Sequence, residues 1–189
     1  MPELALHLAD DIEALWRITG EERPPPFWAF AWLGGQALAR YVLDNPAEVA
    51  GKRVLDLATG SGLVALAAAR AGAAQVTAVD IDRDSVAAAR LNASLNHLRI
   101  EVRLADLLGG PPPDADVVLA GDVCYDRDMT PRVLGWLSRF GGRVLLGDPG
   151  RAYLPQTGFT EVASYEVPTT RALEGVEVKR VRVLSPAPR

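Results

Sequence analysis

Val54-Leu55-Asp56-Leu57-Ala58-Thr59-Gly60-Ser61-Gly62 decides the fold. A short apolar run, broken only by Asp56, enters a turn with two glycines, and the alanine-rich stretch Leu63–Ala71 follows at once. A run of that length bounded by turn residues reads as a buried strand, and the stretch after it as a helix. Gly60 and Gly62 allow close approach of backbone to a ligand. The helix start beyond them presents amide donors with no partner inside the helix.

The same unit repeats outward. Gln75–Val79, Ile100–Leu104, Val117–Ala120 and Val144–Leu146 are further strand-like runs, with helix-like Asp84–Asn96 and Met129–Phe140 between them. This alternation predicts a mostly parallel sheet covered on both faces. Residues 159–167 and 176–184 alternate as strands with no helix between, Gly175 marking a turn, and so predict a closing antiparallel pair. The expected fold is α/β: a Rossmann-like, doubly wound sheet of about seven strands, parallel except at an antiparallel edge. Upstream, the spacing of Leu4, Leu8, Ile12 and Leu15 predicts an amphipathic helix over 3–18. Arg23-Pro24-Pro25-Pro26 reads as a stiff connector. A second helix is expected over 36–43, stopped by Asn45-Pro46. The 189 residues carry no repeat and no domain-scale linker, so one domain is expected: a helical and aromatic segment, 1–50, packed on a core, 51–189.

Composition narrows the partners. A net charge of −4 lacks the basic footprint of nucleic-acid binding, so no nucleic-acid partner is expected. Cys124 is the only cysteine, which excludes an intrachain disulfide. His7 and His97 stand far apart, and no zinc spacing occurs. Asp80-Ile81-Asp82-Arg83-Asp84 opens like a calcium loop, but Ser85 and Leu91 occupy the positions that need glycine and glutamate, so no metal is expected. No apolar run approaches the ~20 residues of a membrane span, and Met1–Gly20 lacks the order of a signal peptide. The expectation is a cytoplasmic monomer or weak oligomer with no membrane partner.

Gly60-x-Gly62-x-x-Ala65 fits a dinucleotide fingerprint. It also fits a loop for S-adenosylmethionine. Asp80, ending the second strand-like run, is placed to accept both hydroxyls of a ribose, and Asp106, ending the third, borders the same crevice. A pyrophosphate gains nothing from Asp56 just before the loop, whereas a ligand with a free ammonium group does. Asp106 suits an adenine amino group. No Tyr-x-x-x-Lys pair occurs, the lysines being Lys52 and Lys179. These features favour S-adenosylmethionine. Its candidate contacts are Asp56, Ala58, Thr59, Gly60 and Gly62, with Asp80, Ile81, Asp106 and Leu107. Ala58 stands where the first glycine of acid-x-Gly-x-Gly-x-Gly is usual; alanine is small, so close approach remains possible there if its φ stays negative, as is expected.

Several segments carry a resemblance: Pro26 to Leu38, with Trp32-Leu33-Gly34-Gly35-Gln36 inside it; Tyr41 to Pro46; the glycine loop; Gly121-Asp122-Val123-Cys124-Tyr125-Asp126; and Gly147-Asp148-Pro149-Gly150-Arg151. Over roughly residues 26–151 the chain resembles the seven-β-strand methyltransferases. Within them it is most similar to the lysine methyltransferases of family 16, particularly those acting on the β-subunit of electron transfer flavoprotein. The resemblance implies that Trp32 lines the cofactor site, that Gly121 contacts the cofactor through its backbone, and that Asp122 and Tyr125 form an Asp-x-Phe-Tyr-like element at the acceptor. Cys124 replaces the aromatic member of that element.

A lysine amine, with an ordinary pKa of about 10.4, must shed its proton before it attacks a methyl group. A water-poor pocket favours the neutral amine. The charge of Asp122 favours the ammonium, so orienting the amine is the role that fits it; Tyr125 offers a wall or a hydroxyl. Plainer readings stay open: Asp122 as a helix cap, Tyr125 as packing, Trp28 and Trp32 as cover for the core edge, Asp148-Pro149-Gly150 as a tight turn. Cys124 reads as a small buried residue. A small-molecule acceptor, an amine or heterocycle, and a non-catalytic cofactor-binding module are the competing functions.

Overall fold

The computed structural model describes residues 2–20 and 25–187. The elements run α1 (Ile12–Thr19), α2 (Leu33–Asp44), β1 (Arg53–Leu57), α3 (Leu63–Arg70), β2 (Gln75–Asp80), α4 (Arg83–Leu95), β3 (Glu101–Leu104), β4 (Val117–Gly121), α5 (Met129–Leu137), β5 (Arg143–Asp148), β6 (Phe159–Pro168), α6 (Arg171–Glu174) and β7 (Val178–Pro186). The strands form one sheet in the order β3-β2-β1-β4-β5-β7-β6. β1 to β5 pair in parallel, and β7 pairs antiparallel with both β5 and β6. This is the doubly wound sheet with an antiparallel edge that the alternation of apolar runs predicts. The strand order reverses between β1 and β4, so the carboxyl ends of those strands open onto a crevice.

Side-chain parity sorts the core into two layers. Val54, Val76, Ala78, Val117, Leu119 and Leu145 meet α2, α3 and α4 on one face. Leu55, Leu57, Val118, Ala120 and Leu146 meet Val133, Trp136 and Leu137 of α5 on the other. Asp56 shares the parity of Val54, which turns its carboxylate under the start of α3.

Three expectations need correction. Residues 3–11 are not helical; the helix begins only at Ile12, capped by Asp11, whose side chain accepts from the Ala14 amide. Upstream, the backbone amides of Ala5 and His7 donate to the side-chain oxygens of Asn96 and Asn92 on α4, and Ala9 N–H donates to the Ala29 carbonyl. These long-range partners hold the backbone out of a helix, with Leu4 buried and Leu8 exposed. α2 begins at Leu33 rather than 36, so Gly34 and Gly35 lie inside its first turn. The β6–β7 connection holds one helical turn, α6, ended by Gly175 in the left-handed region (φ 72°). Of the proline connector, Arg23 and Pro24 lie outside the described residues. Among the described residues, no helix is long and apolar enough to cross a membrane.

Candidate functional site

The glycine loop is held from beneath. The Asp56 carboxylate accepts the Thr59 hydroxyl at 2.5 Å and the Ala65 amide at 3.0 Å. It thereby caps α3, whose N-cap residue Gly62 (φ 86°) has no side chain for the purpose. Asp56 is 1% exposed. Burial pushes its carboxyl up to about 7, against the smaller opposing pull of the Thr59 and Ala65 bonds. Ala58 departs from expectation: its φ is +58°, in the left-handed region. An L residue there is strained by about 1–2 kcal/mol, because the turn needs the geometry a glycine would supply freely.

Asp80, at the end of β2, points its carboxylate across the loop. Its Oδ2 accepts from Gly60 N–H at 2.9 Å and its Oδ1 from Asp82 N–H at 3.0 Å. Burial raises its pKa above the usual range. Each oxygen keeps a lone pair for a further donor. Asp82 caps α4 through the Asp84 amide.

The opposite wall is aromatic. Trp32 donates its indole N–H to the Phe27 carbonyl at 2.8 Å. The Phe27 ring lies 5.7 Å from Trp32, edge-on, and 5.2 Å from Tyr125. These rings form a continuous strip from the start of α2 to the loop after β4.

Asp122 lies just past β4 with φ +59°, a conformation Asp tolerates better than most residues. Its Oδ2 accepts from Gly34 N–H of α2 at 2.5 Å, and its Oδ1 from Arg151 Nε at 2.6 Å. The first contact requires bare backbone. A methyl on Gly34 would overlap the Gly147 carbonyl, and one on Gly121 would meet the Gly35 backbone at 2.7 Å. Arg151 continues to Glu174 of α6 through Nη2 at 2.8 Å and Nη1 at 3.3 Å, and Glu174 also accepts Lys179 Nζ at 2.9 Å. Burial raises the Asp122 pKa, opposed by the Arg151 charge and the Arg151 and Gly34 hydrogen bonds. Burial would also raise Glu174, but Lys179 and Arg151 outweigh it and hold Glu174 below the ordinary value. The Asp148 carboxylate accepts the Gly150 and Arg151 amides, fixing the turn that presents Arg151. Cys124 is fully buried, its thiol pushed up to about 12 by burial and by Asp148 and Asp122. Burial and the acids Asp126, Asp80 and Asp122 raise the Tyr125 phenol.

A cavity of about 520 Å³ joins these parts. Trp32, Ala58, Gly60, Asp80, Ile81, Gly121, Asp122 and Tyr125 all line it, as does Trp28. Asp56, Thr59 and Gly62 do not; they stand behind the loop. Asp106 and Leu107 do not either. β3 lies at the edge of the sheet; in the turn after it Leu107 packs against the core, while Asp106 is exposed, accepts from Leu108 N–H and pairs with Arg132 at 3.4 Å. Phe27, Arg151 and Glu174 line the cavity without having been expected there. Arg151 ends the Gly147–Arg151 run past β5, which hints at its place; nothing in the sequence marks Glu174. The wall holds Asp80, Asp82, Asp84, Asp122 and Glu174 against Arg151, an acid-rich lining that favours cationic ligands. The volume is that of a small-molecule site. Partly free Asp80 oxygens, the bare Gly60 backbone and the Trp32 ring fit an adenosine-bearing cofactor.

The family described as Ribosomal protein L11 methyltransferase (PrmA) matches residues 36–123. The chain is 41% identical over 158 residues to the electron transfer flavoprotein beta subunit lysine methyltransferase of Xenopus laevis, a match covering 80% of this chain and 64% of that protein. It is 37% identical over 178 residues to the Rattus norvegicus protein of that name, covering 88% and 70%. This chain thus spans a little under two thirds of the Xenopus relative's length. Among solved structures, the magnesium protoporphyrin IX methyltransferase of Synechocystis PCC 6803 with bound SAM superposes with a TM-score of 0.62 at 20% identity, covering 95% of this chain and 92% of that one. At that identity the likeness speaks for the fold.

Proposed function

This chain belongs to the family of electron transfer flavoprotein beta subunit lysine methyltransferases, and on that premise we propose that it is an enzyme moving a methyl group from S-adenosylmethionine to a lysine side chain of a protein, with the electron transfer flavoprotein β-subunit as acceptor. The observation that carries the reading is the acid-rich cavity at the carboxyl ends of β1, β2 and β4, with Asp80 on one side of it and Asp122 on the other. When bound there, the cofactor supplies a methyl group already activated on a sulfonium. The chain itself has to hold the cofactor and position the amine.

Asp80 accepts the ribose hydroxyls, with Ile81 beside it. Trp32 gives an aromatic wall, and Ala58, Gly60 and Gly121 offer backbone. Asp56, Thr59 and Gly62 act from behind by fixing the loop. Asp122 orients the acceptor amine through a hydrogen bond. Tyr125, with Phe27 against it, closes the acceptor side and keeps water out, which favours the neutral amine. Ile81 and Tyr125 are exposed at the cavity, an apolar surface a protein acceptor would cover. The reading keeps the protein cytoplasmic, in line with its single cysteine.

Two experiments test this. Calorimetry with S-adenosylhomocysteine should give a saturable heat; no heat and no thermal shift would end the cofactor assignment. Incubation with labelled S-adenosylmethionine and purified electron transfer flavoprotein β-subunit should label a lysine of that protein. Label found only in small solutes of a cell extract would instead favour a small-molecule acceptor.

A further inference from the structure

A carboxylate at the acceptor position poses a problem. It can orient a lysine amine, but its negative charge also stabilises the ammonium, which has no lone pair to attack with. The structure answers this with a cation that sequence reading passes over. Arg151 Nε donates to Asp122 Oδ1 while its two terminal nitrogens grip Glu174. The guanidinium is largely buried, with 19% of its side chain exposed, against 7% for Asp122 and 5% for Glu174. Lys179 holds Glu174 from β7, so the four side chains form a chain of alternating sign with no net charge. Each Asp122 oxygen already has one donor, from Gly34 or Arg151, and keeps one lone pair free for an acceptor.

We infer that Arg151 is a positioning residue of the acceptor site: clamped by Glu174 of α6, it neutralises Asp122 so that this carboxylate orients the acceptor amine without trapping it as an ammonium ion. The inference rests on the methyl-transfer reading above. The neutral amine's lone pair forms the new N–C bond as the C–S pair returns to sulfur, leaving a thioether. The proton lost beforehand goes to solvent. The charged and titratable groups facing Asp122 are Arg151 and Asp148 from the β5 end, Glu174 from α6 with Lys179 behind it, and Cys124, Tyr125 and, across the cavity, Asp80. α2 presents only the Gly34 amide.

The test pairs two substitutions whose effects should be opposite in sign. Arg151→Met leaves Asp122 uncompensated. The β-subunit acceptor, titrated by calorimetry without any methyl donor, should bind several-fold tighter at neutral pH. The rise of methyl transfer with pH should move up by about one unit, a rate loss of about tenfold near pH 7 that recovers in alkali. Glu174→Gln leaves Arg151 its full charge on Asp122, so binding should weaken and the same rise should move to lower pH. If both variants lose binding and rate together at every pH, the cluster only supports packing and the inference falls. If Arg151→Met does not fold, Glu174→Gln decides alone: a downward move supports the inference, and an upward or absent one overturns it. If the unmodified protein transfers no methyl to the β-subunit, it is the proposed function that fails, and the two failures are distinct.

Discussion

Asp56 and Asp122 do the same local work on two sides of the site. Each leaves the central sheet to close the start of a helix, Asp56 at Ala65 of α3 and Asp122 at Gly34 of α2. They differ in company. Asp56 has only neutral donors and is sealed from the cavity, so burial drives its carboxyl up to about 7. Asp122 has Arg151 at 2.6 Å and lies on the cavity wall. A carboxylate held by neutral donors alone and shut off from the cavity serves as scaffold. One with a cation stays available as a charged, oriented group that a ligand can use. On the proposed function, the first half of the site is a holder and the second a positioning device.

The largest expected effect strikes the joint between the halves. Gly34→Ala places a methyl against the Gly147 carbonyl, where backbone on both sides resists movement. It should cost about 3 kcal/mol or more, lowering Tm by roughly 10 °C on calorimetric scanning. A Tm within a degree or two of the parent would mean that α2 does not need this approach to β5. Next comes Asp80→Ala. Losing a charged acceptor for the ribose should weaken S-adenosylhomocysteine by about 2 kcal/mol, roughly thirtyfold; unchanged affinity would remove Asp80 from the holder.

Asp56 offers a test by pH. A carboxyl at about 7 in the fold and at its ordinary value of 3.8 when unfolded contributes stability that is fully present below 3.8 and is lost as pH rises through about 7. Tm should therefore fall across that window, and Asp56→Asn, which keeps an oxygen for Thr59 and Ala65, should flatten the fall. An equal slope in both proteins would show that Asp56 is not the buried neutral acid described. The smallest effect is a gain. Ala58→Gly relieves a positive φ, but glycine is freer in the unfolded chain, so the net stabilisation should be about 0.5–1 kcal/mol. A loss of stability in urea titrations would contradict the strained reading of the loop.

What could be read from the sequence follows from what is local. Val54–Leu57 or Val117–Ala120 carries its own apolar signature, so the sheet was legible, as were Gly60 and Asp80 at strand ends. Leu4, Leu8, Ile12 and Leu15 have helical spacing, yet the amides of Ala5, His7 and Ala9 donate to Asn96, Asn92 and Ala29, partners that periodicity does not register. The sign of φ at Ala58 was set by the turn and not by the alanine. Asp80 is the last residue of β2, whereas Asp106 lies two residues past β3 at the sheet's edge, and position in the sheet is a tertiary fact. Arg151 and Glu174 lie on separate elements that meet only in the fold, so their joint grip on the acceptor side was invisible beforehand.

The division into holder and positioning device is tested most directly on Asp122→Asn, which keeps an acceptor for Gly34 and removes the charge beside Arg151. Calorimetry with S-adenosylhomocysteine and methyl transfer to the β-subunit, measured on the same preparation, should separate: cofactor affinity within about threefold of the parent, and transfer reduced by about a hundredfold. Loss of cofactor binding in step with transfer would contradict the division, as would full transfer without the charge.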